Sequence, residues 1–204
     1  MATTPSDPLT RIRARAGELI ARDRWNRAQV DEHVRDRLTA LLRHAATHSS
    51  FYRERIGDPA RAGEIELTDL PSLPKETLVD EWDRIAADPA LRLADVEAHI
   101  ASDRADEPFA GRFRLFSTSG STGLRAAIAV EISQFEDWVA ACLRQFARCG
   151  IRPEDRLVAI GSPSPLHLSR QLFVNFQKGR TGAPQLSVAT PLGELVAALQ
   201  AYRP

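Results

Sequence analysis

Apolar residues recur at helical spacing in two long stretches of this chain. Val30, Val34, Leu38, Leu41, Leu42 and Ala45 predict an amphipathic helix over 28–47 that packs on a main domain. Phe135, Trp138, Val139, Cys142, Leu143 and Phe146 predict a second, with Ser133 and Glu136 as an S-x-x-E capping box and Gly150 just past its end. Shorter helices are expected over 76–85 and 167–177. Another is expected from Pro191, capped by Thr190, with Leu192, Leu195, Val196 and Leu199 on its apolar face. Short β-prone runs stand at Phe113–Phe116 and Ala126–Val130, at Arg156–Ile160, read as a buried strand, and at Leu186–Ala189. Residues 96–100 fit a strand or a helix end. Gly57–Leu73 is turn-rich, Ser102–Gly111 reads as a polar loop and Lys178–Pro184 as a basic glycine turn. The order of elements predicts an α/β protein: a flexible, basic segment over 1–27, a helical lobe over 28–100 and a partial α/β subdomain over 101–204.

The N-terminal segment itself has two parts. Met1–Asp7 reads as a frayed tail. Arg11–Arg27 is arginine-rich and helix-compatible, with a thin apolar face of Ile12, Leu19 and Ile20. A solvated helix or a partner contact suits it better than a membrane-surface helix.

Composition narrows the function classes. The chain has 204 residues with 43% hydrophobic content, enough to bury a core. Lys+Arg and Asp+Glu are both 27, so no net field argues for a nucleic-acid partner. No apolar run is long enough to span a bilayer, and no charged-then-apolar signal opens the sequence. The expectation is a soluble cytoplasmic protein with no membrane partner. Cys142 and Cys149 sit seven residues apart on one expected helix, about 10 Å along its axis, too far for a disulfide. Both are expected to be buried as small apolar side chains. His44 and His48 have the i, i+4 spacing that can hold zinc, but no Glu sits between them in the metalloprotease pattern and no third ligand is evident, so no metal site is expected.

The candidate chemistry lies between the first two β-prone runs. Ser117-Thr118-Ser119-Gly120-Ser121-Thr122-Gly123 is an unbroken run of Ser, Thr and Gly. Glycine tolerates backbone conformations that turn several N–H groups to one side, and the hydroxyls add uncharged donors, which together suit a phosphate. A Walker A loop needs a Lys after its last Gly and a following helix; neither is here. The dinucleotide fingerprint fails in spacing and in its helix. From these residues alone the run is either an anion cradle or a flexible hairpin linker. A second candidate is Gly161-Ser162-Pro163-Ser164-Pro165-Leu166-His167, at the carboxyl end of an expected strand, where open α/β sheets bind ligands. His167 there is either a substrate contact or a surface histidine in a proline-rich turn.

The run Ser117–Gly123 resembles the nucleotide phosphate loop of the adenylate-forming ligases, the acyl-CoA synthetase and luciferase superfamily, which carry [ST]-[ST]-G-[ST]-T-G. Ser50-Phe51-Tyr52-Arg53-Glu54-Arg55 and Leu67-Thr68-Asp69-Leu70-Pro71-Ser72-Leu73-Pro74-Lys75-Glu76-Thr77-Leu78 are similar to the opening of phenylacetate–CoA ligases and their CapK-like relatives. The resemblance runs from about Val34 to the last residue. It implies an N-terminal helical lobe plus part of that superfamily's large-domain sheet with flanking helices. It also implies ATP, magnesium and coenzyme A as reactants, a carboxylic acid as substrate, and formation of an acyl-adenylate. Thr118, Ser119, Gly120, Ser121, Thr122, Gly123 and Arg125 would meet the nucleotide phosphates, and His167 the acyl pocket. The family's loop usually continues x-Pro-Lys; here Leu124-Arg125-Ala126 follows, so Arg125 would supply the cation as a planar fork rather than a point charge. The adenine contacts, the magnesium motif, the ribose Asp, the hinge and the catalytic Lys have no counterpart before Pro204. The expectation is therefore an N-terminal portion, inactive alone, that needs a C-terminal half or a partner chain. A non-catalytic binding or assembly module on the same fold is the alternative.

Overall fold

The computed structural model describes residues 7–118, 126–152, 154–177 and 184–204, with 175–177 as backbone only. The chain forms two units: Met1–Asp23, Asp103–Ser117 and Ile128–Pro204 make one, and Arg24–Ser102 with Thr118–Ala127 the other. Helix and sheet are mixed, as expected of an α/β chain at the coarse level.

The first unit begins with α1 (Pro8–Ala21). Asp7 caps it, its Oδ2 accepting from the Thr10 N–H at 2.9 Å, and Pro8 opens the first turn, where a missing N–H costs nothing. Of the thin stripe expected to stay solvated or await a partner, Ile12 is instead buried within the unit, Leu19 is half-buried and Ile20 stays exposed. Ile12 and Ala16 join Phe116, Val130, Phe135, Val139 and Ala140 in one core, with Leu19 packed at its edge. The arginines explain why so narrow a stripe suffices. Arg11 grips Glu136 with two nitrogens, Nε at 2.9 Å and Nη2 at 2.5 Å. Arg15 reaches Asp137 at 2.8 Å, and Asp23 pairs with Arg144 and Arg148. These acids and bases hold α1 along α7 (Ile132–Arg148), and the short apolar stripe fills the space between.

Strands β1 (Phe113–Ser117) and β2 (Ala127–Glu131) are neighbours in a two-stranded sheet. The Phe116 ring packs 5.8 Å from Phe135 and 5.9 Å from Trp138. The end of α7 follows its sequence signal: Gly150 takes φ 74°, its N–H donates to the Ala147 carbonyl, and the Ile151 N–H reaches back to Phe146. These are the two bonds of a Schellman close. The start of α7 does not follow its signal. The helix opens at Ile132 after Glu131, with no side-chain cap, and Ser133 lies inside the first turn. Glu136 cannot close a capping box because its carboxylate is held by Arg11.

Next come β3 (Ala159–Gly161), α8 (Leu168–Gln177), β4 (Gln185–Ser187) and α9 (Leu192–Tyr202). Strands β3 and β4 are parallel, with Ala159 opposite Gln185, Ile160 opposite Leu186 and Gly161 opposite Ser187. A helix connecting parallel strands is what that geometry requires. The expected buried strand over 156–160 is shorter and more open: β3 begins at Ala159, and Ile160 is 46% exposed. No third strand joins this pair among the described residues. Thr190 does not cap α9. Its N–H closes a turn onto the Ser187 carbonyl, and Pro191 precedes the helix without a side-chain cap. The expected glycine turn after α8 lies, over 178–183, outside the described residues.

The second unit is helical. Helix α2 (Arg27–His48) is closed by a reciprocal pair: the Gln29 N–H donates to Asn26 Oδ1 and the Asn26 N–H to Gln29 Oε1, both at 3.0 Å. Helix α3 (Ser50–Ile56) starts at Ser49, whose buried hydroxyl donates to the Arg84 carbonyl at 2.7 Å. Helices α4 (Lys75–Asp80), α5 (Trp82–Ile85) and α6 (Leu93–Ile100) follow; the helix expected over 76–85 breaks at Glu81. Residues 96–100 are helical. Leu42, Ala46, Ile56 and Ala62 form the core, with Tyr52, Ile65 and Leu70 against it. Not all of the α2 stripe is covered: Val30, Val34 and Leu41 remain exposed. No helix among the described residues is long and apolar enough to cross a membrane.

Candidate functional site

The Ser/Thr/Gly run begins at the end of β1. Of the residues expected to meet phosphate, Thr118 is described; Ser119, Gly120, Ser121, Thr122, Gly123 and Arg125 lie outside the described residues. The two ends of the loop are held together at its base. The Thr118 N–H donates to the Ala126 carbonyl at 3.0 Å, and the Ala126 N–H donates to Thr118 Oγ1 at 3.0 Å. The Thr118 hydroxyl is thus an acceptor toward Ala126 and keeps its own proton to donate elsewhere.

One residue earlier, the Ser117 N–H donates to the Leu166 carbonyl at 3.2 Å. Leu166 belongs to the second stretch singled out in the sequence. Buried Gln171 on α8 ties the same two segments again: its Nε2 donates to the Leu115 carbonyl at 3.0 Å and to the Pro165 carbonyl at 2.8 Å. The entry to the Ser/Thr/Gly loop and the 161–167 loop therefore meet in space, although about fifty residues separate them in sequence.

The 161–167 loop is built from hydroxyl-closed turns. Ser162 Oγ accepts from the Ser164 N–H at 3.2 Å, and Ser164 Oγ from the Leu166 N–H at 3.3 Å. Just past the carboxyl end of β3 and along β4 lies a cavity of about 200 Å³, lined by Ser162, Pro163, Arg170, Gln185, Leu186 and Ser187. Arg170 crosses to the Pro163 carbonyl. His167 does not line this cavity. It is exposed, and its Nδ1 lies 2.7 Å from Ser169 Oγ. The charged side chain in the cavity is Arg170. It and Gln171 were missed because nothing local separates them from the ordinary polar residues of an amphipathic helix; only the tertiary fold turns one into the crevice and the other into the core.

The other candidates end elsewhere. The His44 and His48 rings lie 4.5 Å apart, tilted by 42°, in the second unit, and no group of three or more His, Cys, Asp or Glu among the described residues could hold a metal ion. The cysteines divide, against the expectation that both are buried. Cys142 is half-buried and burial raises its thiol pKa, whereas Cys149, beyond the last turn of α7, is exposed. Comparison with protein-family models, with curated proteins and with solved structures gives no match.

Proposed function

We propose that this chain carries the phosphate-binding loop of an AMP-forming carboxylate–CoA ligase of the phenylacetate–CoA ligase kind, and that the loop cradles ATP phosphates while the acid is converted to its acyl-adenylate. The observation that supports this reading best is the meeting of the two loops. Ser117, the residue that enters the run, is bonded to Leu166 of the 161–167 loop. A reaction that joins a carboxylate to a phosphate needs both reactants at one place.

Thr118 would donate its hydroxyl proton to a phosphate oxygen, with its own oxygen fixed by Ala126. Ser119, Gly120, Ser121, Thr122 and Gly123 would add backbone and hydroxyl donors, and Arg125 a cation. Such preorganised donors stabilise the charge that develops on phosphate without reorganising as it forms. Magnesium supplies charge neutralisation on the phosphates when bound; with no described carboxylate cluster to hold it, it would arrive with the nucleotide. Coenzyme A is the thiol that the reading assigns to the second step. Arg170, with the Ser162 and Ser187 hydroxyls, suits the acid's carboxylate better than exposed His167 does.

A second reading, a binding module on the same fold, is favoured by the missing Pro-Lys after Gly123, since a planar guanidinium does not reproduce a lysine point charge. Calorimetric titration of Mg-ATP and of AMP into the intact chain, with Gly120→Val as control, tests nucleotide binding. Binding lost in the variant is expected, because a side chain at Gly120 would crowd donors that must approach phosphate. Equal affinity in both proteins would return the loop to a linker.

A further inference from the structure

The second unit contains a cavity of about 480 Å³ in which α2 and α3 face the segment 67–73. Leu38, Leu41, Leu42 and Leu70 give it an apolar wall, and Arg55 is the one charged residue among those lining it. The volume is roughly three times that of a cavity of about 150 Å³ that stays dry and takes up benzene. It also falls in the range of about 300–1,000 Å³ usual for ligand sites that pair apolar walls with a few polar groups. Leu41 and Leu67, at 62% and 64% exposure, leave apolar surface open at its edge.

Arg55 sets the charge of the occupant. Its guanidinium carbon lies over the Phe51 ring, 3.4 Å from the centroid, and Nη1 donates to the Phe51 carbonyl at 3.3 Å. Among the described residues it meets no carboxylate. Arg61, by contrast, pairs with Glu64, and Arg84 with Glu54 and Glu81, while Arg53 spends its donors on the Ala46 and Thr47 carbonyls. A guanidinium fixed against an aromatic face, with most of its donors unspent and an apolar hollow beside it, is complementary to an anion that carries an alkyl chain. Tyr52 adds a phenol to the same wall.

We propose that this cavity binds a medium-chain fatty acid, its alkyl chain between α2 and the segment 67–73 and its carboxylate on Arg55. The site belongs to the second unit and does not depend on nucleotide. The test is titration of hexanoate, octanoate and decanoate, below their micellar concentrations, into the full chain without ATP. Affinity rises about fourfold per added methylene as apolar area is buried. Arg55→Gln weakens decanoate about tenfold and leaves 1-decanol unchanged; Arg55 is exposed, so the variant is expected to fold, and its circular dichroism checks this. Absence of saturable decanoate binding by the folded chain overturns the proposal. So does equal decanoate affinity in Arg55→Gln, or a chain that sediments as a dimer with the cavity covered by its copy.

Discussion

Replacing Gln171 by Leu tests whether β1 and the 161–167 loop are held together through this side chain. Gln171 is 8% exposed, and its amide nitrogen donates to carbonyls 56 and 6 residues away. Leucine keeps much of the volume and removes both bonds. A buried acceptor left without its donor costs about 1–3 kcal/mol. The Leu115 bond is fully buried, whereas the Pro165 bond is only part-buried and its carbonyl recovers water. The first loss dominates, and the net destabilisation should be about 2 kcal/mol. Urea denaturation reads this through Trp138 once Trp25 and Trp82, the other two of the three tryptophans, are replaced by Phe. Amide exchange supplies a local readout: with the Gln171 bridge gone, Ser117 N–H should exchange faster than the global loss of stability accounts for. A destabilisation under about 0.5 kcal/mol, within the range of ordinary surface substitutions, with Ser117 exchange unchanged would refute the bridge.

Three further outcomes follow from the first unit. Phe135→Ala, which empties the centre of the α1–α7 core, should cost about 3–5 kcal/mol in the same denaturation assay. Gly150→Ala should cost about 1 kcal/mol through backbone strain alone, since φ is 74° and an added Cβ meets nothing within 4 Å. Asp23 has its pKa lowered from 3.8, first by its hydrogen bond from Arg144. Its contribution to stability is therefore complete above the ordinary aspartate range and is lost as pH falls through the lowered value. Asp23→Asn should flatten that acid limb of the stability curve and leave its slope near neutrality unchanged.

Where the pattern was strong and local, sequence and structure agree. The α7 stripe and its glycine close, the α2 helix though only part of its stripe, and the two β-prone runs on either side of the Ser/Thr/Gly loop are each specified by neighbours within a few residues. The failures have two causes, one distant and one local. Ser133–Glu136 and Thr190 carry good local caps, but a distant arginine claims Glu136 and a tight turn claims Thr190. Long-range, charge-assisted pairs outweigh caps worth about 1 kcal/mol. The α1 stripe looked too thin to bury because its partners, Glu136 and Asp137, lie more than a hundred residues away. In the same way, the loop after β3 was identifiable as a site but its working side chains were not: His167 stands out by residue type, and Arg170 stands out only once the crevice exists.

Residues 117–123 are proposed to hold phosphate, with Ser117 at their entry bonded to Leu166. Amide NMR of the intact 22.6 kDa chain during titration with Mg-ATP tests this directly. The account predicts saturable shifts confined to the loop, to Thr118 and Ala126 at its base, and to Leu166 and its neighbours across the Ser117 bond. Saturable shifts elsewhere with none at Thr118, Ala126 or Leu166, or no shifts from a folded chain, would contradict it.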